Sequence, residues 1–259
     1  MDIQKAADRL SEVRVTGKPA ARLAECGEAS VRDAYEIQFR NLARRLEAGG
    51  GNVVQSGFKI GLTNAPAQEA NGLTEPAFGY MLSDTYVADG AKIHAADFFA
   101  PKVEGELAFI LAEPLAGPGV TIADVYAATE FVVPAIELVD SRYEGGAAGG
   151  IELIADNVCG AGFVLGSGMT PIEDVDMALT GMMMKKNGSI IGTGTTAEVL
   201  GNPAYSVAWF ANALAAYGKE VPAGSVILTG AVTGAVPVKA GDAIEVSFYG
   251  MGTVSVIFD

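Results

Sequence analysis

The chain has 259 residues, half of them hydrophobic, with 17 Lys and Arg against 31 Asp and Glu for a formal charge of −14. That length can bury a sizeable core, as one large domain or as a large one with a small appendage. The acidic balance excludes nucleic acid and anionic membrane as partners, and no apolar run approaches the length that spans a bilayer. No signal-peptide pattern opens the sequence, because charges are mixed throughout its first ten residues. Cys26 and Cys159 are isolated from each other, which suits a reducing cytoplasm better than a disulfide framework. The mean hydropathy is positive. Without a membrane segment, this points to apolar surface covered by further subunits, so a homo-oligomer is expected.

Residues 2 to 14 and 30 to 48 read as helices. At the start of the second, Ser30 with Asp33 resembles a capping box, and Ala34, Ile37, Leu42 and Leu46 supply much of an apolar stripe. Gly49-Gly50-Gly51 ends that helix and marks a boundary between an N-terminal helical part, 1–50, and the main body, 51–259. A phosphate loop is excluded there, since no strand precedes the glycines and no helix follows. Residues 53 to 63 read as a strand running into a loop, with Lys59 among apolar neighbours. Such a lysine either snorkels to water or presents its ammonium to an anionic substrate, and the pattern leaves both open. The next segment, as far as Asp84, contains Pro66, Gly72, Pro76 and Gly79 and is a candidate lid.

Residues 101 to 111 alternate as a strand does, placing Glu104 and Glu106 on one face and Val103, Leu107, Phe109 and Leu111 on the other. Two neighbouring carboxylates on an apolar strand repel each other and resist desolvation. A third acid, Glu137, interrupts the apolar run from Phe131 to Val139. A bound cation offsets both penalties, and three carboxylates with positions left for water and substrate describe a hard-cation site for Mg²⁺ or Mn²⁺. Thr121 and Asp124 cap a short helix ending near Thr129. The run Glu144-Gly145-Gly146-Ala147-Ala148-Gly149-Gly150 is either a mobile active-site loop or a surface insertion.

The C-terminal third is rich in strands. Asn187-Gly188 between residues 182–186 and 189–192 is a type I′ hairpin signal. Asn202-Pro203 opens a helix that Gly218 closes, and residues 225–229, 243–248 and 253–258 read as further strands. Mixed strands with few helices give an α+β domain around a curled, sandwich-like sheet. Other chemistries are excluded. One histidine, His94, in a turn-like polar context, and two distant cysteines cannot build the usual zinc sites. There is no G-x-S-x-G elbow. Gly160, Gly162 and Gly166 lack the spacing and the following helix of a dinucleotide fingerprint.

Several motifs then occur in order and with matching spacing from about residue 30 to the C-terminus. They are Lys59-Ile60-Gly61-Leu62-Thr63, Glu75-Pro76 with Phe78-Gly79, Pro101 to Phe109, Pro134 to Arg142, Ala155-Asp156-Asn157, and Gly201-Asn202-Pro203 with Ala208 to Asn212. Together they resemble the 2-keto-4-pentenoate hydratase and 4-oxalocrotonate decarboxylase branch of the fumarylacetoacetate hydrolase superfamily. The resemblance implies a mixed β-roll core with a small N-terminal helical α/β part, and a Mg²⁺- or Mn²⁺-dependent lyase of aromatic-ring-cleavage catabolism. It also implies a small 2-oxo or 2-hydroxy unsaturated acid as substrate. Glu104, Glu106 and Glu137 would be the metal ligands, Lys59 the catalytic lysine, and Leu62 and Arg142 substrate contacts. The catalytic histidine of the superfamily's C–C hydrolases has no counterpart here. Hydratases of the branch also place an acid where this chain has Ala77, which argues for 4-oxalocrotonate decarboxylation. Residues 103–111 and 121–138 look closer to the hydratases, however, and Glu75 or Asp84 can substitute for the acid. Hydration of the 2-keto-4-pentenoate type is therefore expected first and decarboxylation second. The competing class is a non-catalytic protein in which the acids hold a structural Ca²⁺ or no ion. Lys59 discriminates, because a structural site has no use for an ammonium beside it.

Overall fold

The computed structural model of the chain describes residues 2–23 and 29–259, so Cys26 lies outside the described residues. Helix α1 (Ile3–Thr16) begins where the Asp2 side chain accepts from Lys5 N and ends at Gly17, whose φ of 63° is left-handed. Helix α2 (Val31–Ala48) begins with the expected capping box. Ser30 Oγ accepts from Asp33 N, and the Asp33 carboxylate accepts from Ser30 N at 2.8 Å. The shorter aspartate therefore closes the box that glutamate usually closes. Ala6 and Leu10 of α1 and Ala34 and Ile37 of α2 enter the same apolar core as the main body.

The long strands are β1 (Gln55–Gly61), β2 (Ala77–Leu82), β3 (Lys102–Leu111), β4 (Thr129–Val139), β5 (Gly160–Leu165), β6 (Gly181–Lys186), β7 (Ser189–Thr195), β8 (Val226–Ala231), β9 (Ala243–Phe248) and β10 (Gly252–Phe258). A nine-stranded sheet runs β2-β1-β8-β3-β4-β5 and ends on the two-residue strand Tyr86–Val87, with two more short strands off this path, Val236–Pro237 on β3 and Thr170–Pro171 on β4. Within it β1 is parallel to β8, while β2, β3, β4 and β5 join their long neighbours antiparallel. A five-stranded sheet runs β7-β6-β9-β10 and ends on Lys92–Ile93. One face of β3 fills the main core with Val103, Leu107, Phe109 and Leu111. A Cβ at Gly105 would meet side chains of Val246, Met182 and Met184 at 3.1–3.2 Å, so the residue between the two glutamates is where the sheets close together. The opposite face holds a smaller apolar cluster of Ala108, Val133, Ala135, Phe163 and Leu228.

Asn187 and Gly188, at φ 54° and 80°, make the expected turn between β6 and β7. The helix Pro203–Ala215 is capped by Ala216, just short of the expected Gly218. His94 is exposed and pairs with Asp259 at 2.6 Å. One expectation fails. The candidate lid is a short helix, Ala65–Ala70, followed by β2, which pairs with β1 from Gln55↔Leu82 to Gly61↔Ala77. Proline and glycine around positions 66 to 79 suggested a loop, but Phe78, Tyr80, Met81 and Leu82 form a β-prone run that the sheet takes up. Among the described residues, no helix is long and apolar enough to cross a membrane.

Candidate active site

The register of β3 and β4 sets Glu104 opposite Glu137 and Glu106 opposite Ala135. Residues opposite one another share a face, as do residues two apart, so all three carboxylates converge on the side of the smaller cluster. One ligand oxygen from each lies within 4.8 Å of the others. Glu106 and Glu137 are each 1% exposed and Glu104 is half-buried. Strand β8 contributes a fixed donor, as Gly230 N donates to Glu106 Oε2 at 2.8 Å. Strand β1 contributes Lys59, which lies opposite Leu228 of β8. Its Nζ sits 3.1 Å from Glu137 Oε1 and donates to Val158 O, also at 3.1 Å. At 3% exposure Lys59 does not snorkel. Glu137 Oε2 is buried without a hydrogen-bond partner.

Three acids and one ammonium leave this pocket short of positive charge. Burial drives the Glu106 carboxyl well above the usual range, and Glu137 and Glu104 push it the same way. Burial raises Glu137 to about 7 even though Lys59 pulls it down. Glu104 is likewise raised by burial, against the pull of Lys59 and Lys102. Burial disfavours the Lys59 ammonium, yet Glu137, Glu104 and Glu106 outweigh it and hold Lys59 above the ordinary lysine range. Buried carboxylates that cannot all ionise, together with an orphaned carboxylate oxygen, fit a hard divalent cation held through oxygen.

Three cavities meet at this cluster. One of 630 Å³ is lined by Lys59, Leu62, Glu104, Tyr143, Ala147 and Val158. A second, of 540 Å³, is lined by Leu62, Thr63, Glu104, Glu198 and Thr233. The third, of 510 Å³, reaches Lys59 and Glu137 from another side, beside Tyr80, Arg142 and Phe163. Leu62 thus sits beside Glu104, with φ 58° and its carbonyl accepting from Gln68 Nε2 at 2.9 Å. Arg142 lines the cavity of Lys59 and Glu137, but its guanidinium is paired with Asp156 and donates to Gly160 O at 3.2 Å. The glycine-rich segment is a wall of the 630 Å³ cavity, tied down at both ends. Glu144 N donates to Ala20 O at 2.9 Å, and buried Glu152 accepts from Ala148 N at 2.7 Å and from Leu23 N at 2.8 Å.

Ala77 is fully buried opposite Gly61. Neither suggested substitute acid reaches the cluster. Glu75 is exposed, and Asp84 is held by Arg45 at 2.8 and 2.9 Å and by Arg14 at 3.3 Å. Other acids do line a cavity with Glu104: Asp140 and Glu144 in the 630 Å³ one, and exposed Glu198, to which no sequence motif pointed, in the 540 Å³ one. Asn157 and Val158 also escaped the sequence reading as site residues. Asp156-Asn157 lay within a resembled motif, but nothing in it announced a carbonyl aimed at Lys59.

Comparison with known proteins agrees with this geometry. The fumarylacetoacetate hydrolase C-terminal family matches residues 46–257, and the chain belongs to that family. Within it, the chain falls in the branch that holds 4-oxalocrotonate decarboxylases and 2-keto-4-pentenoate hydratases. It is 42% identical over 226 residues to a 4-oxalocrotonate decarboxylase of Pseudomonas sp. (strain CF600), covering 87% of this chain and 84% of that protein. It is also 42% identical over 233 residues to a 2-hydroxyhexa-2,4-dienoate hydratase of Comamonas testosteroni, covering 89% and 87%. The solved structure of 4-oxalocrotonate decarboxylase from Pseudomonas putida G7, complexed with magnesium and adipate, superposes with a TM-score of 0.94 at 36% identity, covering 99% of this chain and 97% of that one.

Proposed function

We propose that the chain is a divalent-metal-dependent lyase acting on 2-hydroxy-dienoates and 2-oxo-enoates, with hydration of the 2-keto-4-pentenoate type as its main reaction. The supporting observation is the set of Glu104, Glu106 and Glu137 converging beside a buried ammonium, in a chain equally similar to a hydratase and a decarboxylase. The three glutamates would hold Mg²⁺ or Mn²⁺. A bound cation of this kind supplies positive charge that stabilises a substrate on its way to a dienolate. A structural ion would gain nothing from Lys59, whose ammonium competes with it for Glu137. Two of its three N–H directions face Glu137 and Val158, and the third is left to hold a substrate oxygen or return a proton to the substrate. Leu62 and the glycine-rich wall shape the cavity beside Glu104. Arg142, already neutralised by Asp156, contributes to substrate binding at the rim of the other cavity.

Hydration must deliver water as well as a proton, and so needs an acid–base group that Ala77 does not provide. We read Glu198, an exposed acid that lines the 540 Å³ cavity with Glu104, as the group that takes this role. Decarboxylation is the second reading, favoured by the buried Ala77 and by the absence of any reaching acid from its loop. Product analysis decides. The Mg²⁺-loaded protein is expected to consume 2-hydroxypenta-2,4-dienoate. If that compound persists while 4-oxalocrotonate loses carbon dioxide, decarboxylation is the activity.

Residues 1–50 serve as an N-terminal helical part and 51–259 as the metal-binding part, consistent with a family match that starts at residue 46. The chain also reads as a subunit of a homo-oligomer. Ile190, on the outer strand β7, is 61% exposed and Tyr249 is 86% exposed, an apolar display that subunit contacts would cover. Sedimentation is expected to give an assembly at micromolar concentration, and a monomer there would contradict this. Cys159 is a buried free thiol, in keeping with a reducing cytoplasm.

A further inference from the structure

Asn157, Val158 and Cys159 follow one another at φ 55°, 50° and 57°. Left-handed backbone is open to glycine and tolerated by asparagine, but it is disfavoured for a β-branched residue such as valine. A run of such residues persists only where its surroundings impose it. Here they do. Asn157 Oδ1 accepts from Tyr80 N at 2.8 Å and Asn157 Nδ2 donates to Tyr80 O at 3.0 Å, so the side-chain amide stands where a neighbouring strand would pair with β2. The residue before it, Asp156, accepts from Ser141 Oγ at 2.9 Å and from Arg142 N at 2.8 Å. Gly79 admits the turn, since a Cβ there would lie 2.7 Å from Asn157 O. The turn delivers the Val158 carbonyl, 3.1 Å from Lys59 Nζ. It also packs Val158 against Gly61, where a Cβ would lie 2.9 Å from Val158 Cγ1 and 3.2 Å from Lys59 Nζ.

We propose that this left-handed turn positions Lys59 for catalysis and that Asn157 is the positioning residue that sets it. An ammonium on a four-carbon stem is mobile, and three carboxylates nearby would each attract it. A carbonyl is a neutral acceptor. It fixes one N–H direction without adding charge to a pocket already crowded with carboxylates. With Val158 O and Glu137 Oε1 on two directions, the third is held toward the cavity shared with Leu62 and Glu104. Asp156 and Arg142 anchor one end of the turn, whereas Asn157 fixes its middle to the strand that flanks β1.

The inference rests on the reading of Lys59 as catalytic, and the test separates the two. Asn157→Gly keeps the left-handed backbone available and removes both bonds to Tyr80. In the Mg²⁺-loaded enzyme it is expected to lower kcat about tenfold or more and to shift KM by less than about threefold, with Mg²⁺ affinity by calorimetry unchanged. Asn157→Asp keeps the acceptor for Tyr80 N and is expected to lose less. In a Lys59→Met background the same glycine substitution should change kcat by less than about twofold, because its effect acts through the lysine. Equal fractional losses in both backgrounds, or no loss in the enzyme that retains Lys59, would overturn the inference. Should Asn157→Gly not fold, Asn157→Asp is read in both backgrounds by the same criteria. Normal turnover in Lys59→Met alone would instead remove the lysine's catalytic role.

Discussion

Glu106→Gln is expected to weaken Mg²⁺ binding by ~100-fold or more, and kcat/KM at limiting metal with it, while making the metal-free protein more stable. The amide keeps an acceptor for Gly230 N, so the change removes charge with little change of shape. In the metal-free wild type, folding brings three carboxylates together with Lys59 against them and Lys102 acting on Glu104 to answer their charge. The sign of the resulting pH dependence follows from Glu137, whose folded value of about 7 lies above its ordinary 4.5. Between those values the folded state holds more protons than the unfolded one, so stability falls as pH rises through the window. Thermal unfolding in a chelator should therefore show Tm declining from about pH 4.5 to 7, with a flatter profile in Glu106→Gln. Added Mg²⁺ should reverse the trend in the wild type, because ligands must lose protons to bind it. Unchanged Mg²⁺ affinity by calorimetry in Glu106→Gln would take that residue out of the ligand set.

The second large effect is at Lys59. Lys59→Met retains the volume of the buried stem and removes the ammonium, so kcat should fall by ~10²-fold or more. Mg²⁺ affinity should persist, since taking a cation away from three glutamates does not weaken their hold on another. A variant that turns over near the wild-type rate would make Lys59 a structural counter-ion to Glu137 and nothing more.

The parts of this site that the sequence disclosed are those that depend on local periodicity. Glu104 and Glu106 share a face because strands have a period of two, and Glu137 stood out as a charge in an apolar run. The capping boxes at Ser30 and Thr121 and the Asn187-Gly188 turn were legible for the same reason, each being settled within a few residues. Lys59 was visible but undecided, because snorkelling or burial depends on what packs over it. Val158, far away in the chain, decides that. The pairing of Arg142 with Asp156 is similarly non-local and turned an apparent free charge into a neutralised one. Strand β2 was missed because Pro76 and the glycines on either side masked a short β-prone run. The left-handed turn could not be read at all, since valine and cysteine give no local hint of it and only tertiary contacts hold it there.

The parallel pairing of β1 with β8 bears on how the protein is made. Lys59 and the glutamate strands cannot be joined until β8 has been synthesised, because β8 lies between β1 and β3, and Gly57 must wait for Val226. Such distant pairing makes for slow folding, and β1 and β3 leave the ribosome with unpaired edges meanwhile. A nascent chain shorter than β8 could keep the β3–β4 hairpin, with its three carboxylates, yet lack the Gly230 N–H that steadies Glu106. Productive metal capture is thus expected only after β8 has joined the sheet, and chain termination before Val226 is expected to yield a protein prone to aggregate rather than a smaller enzyme.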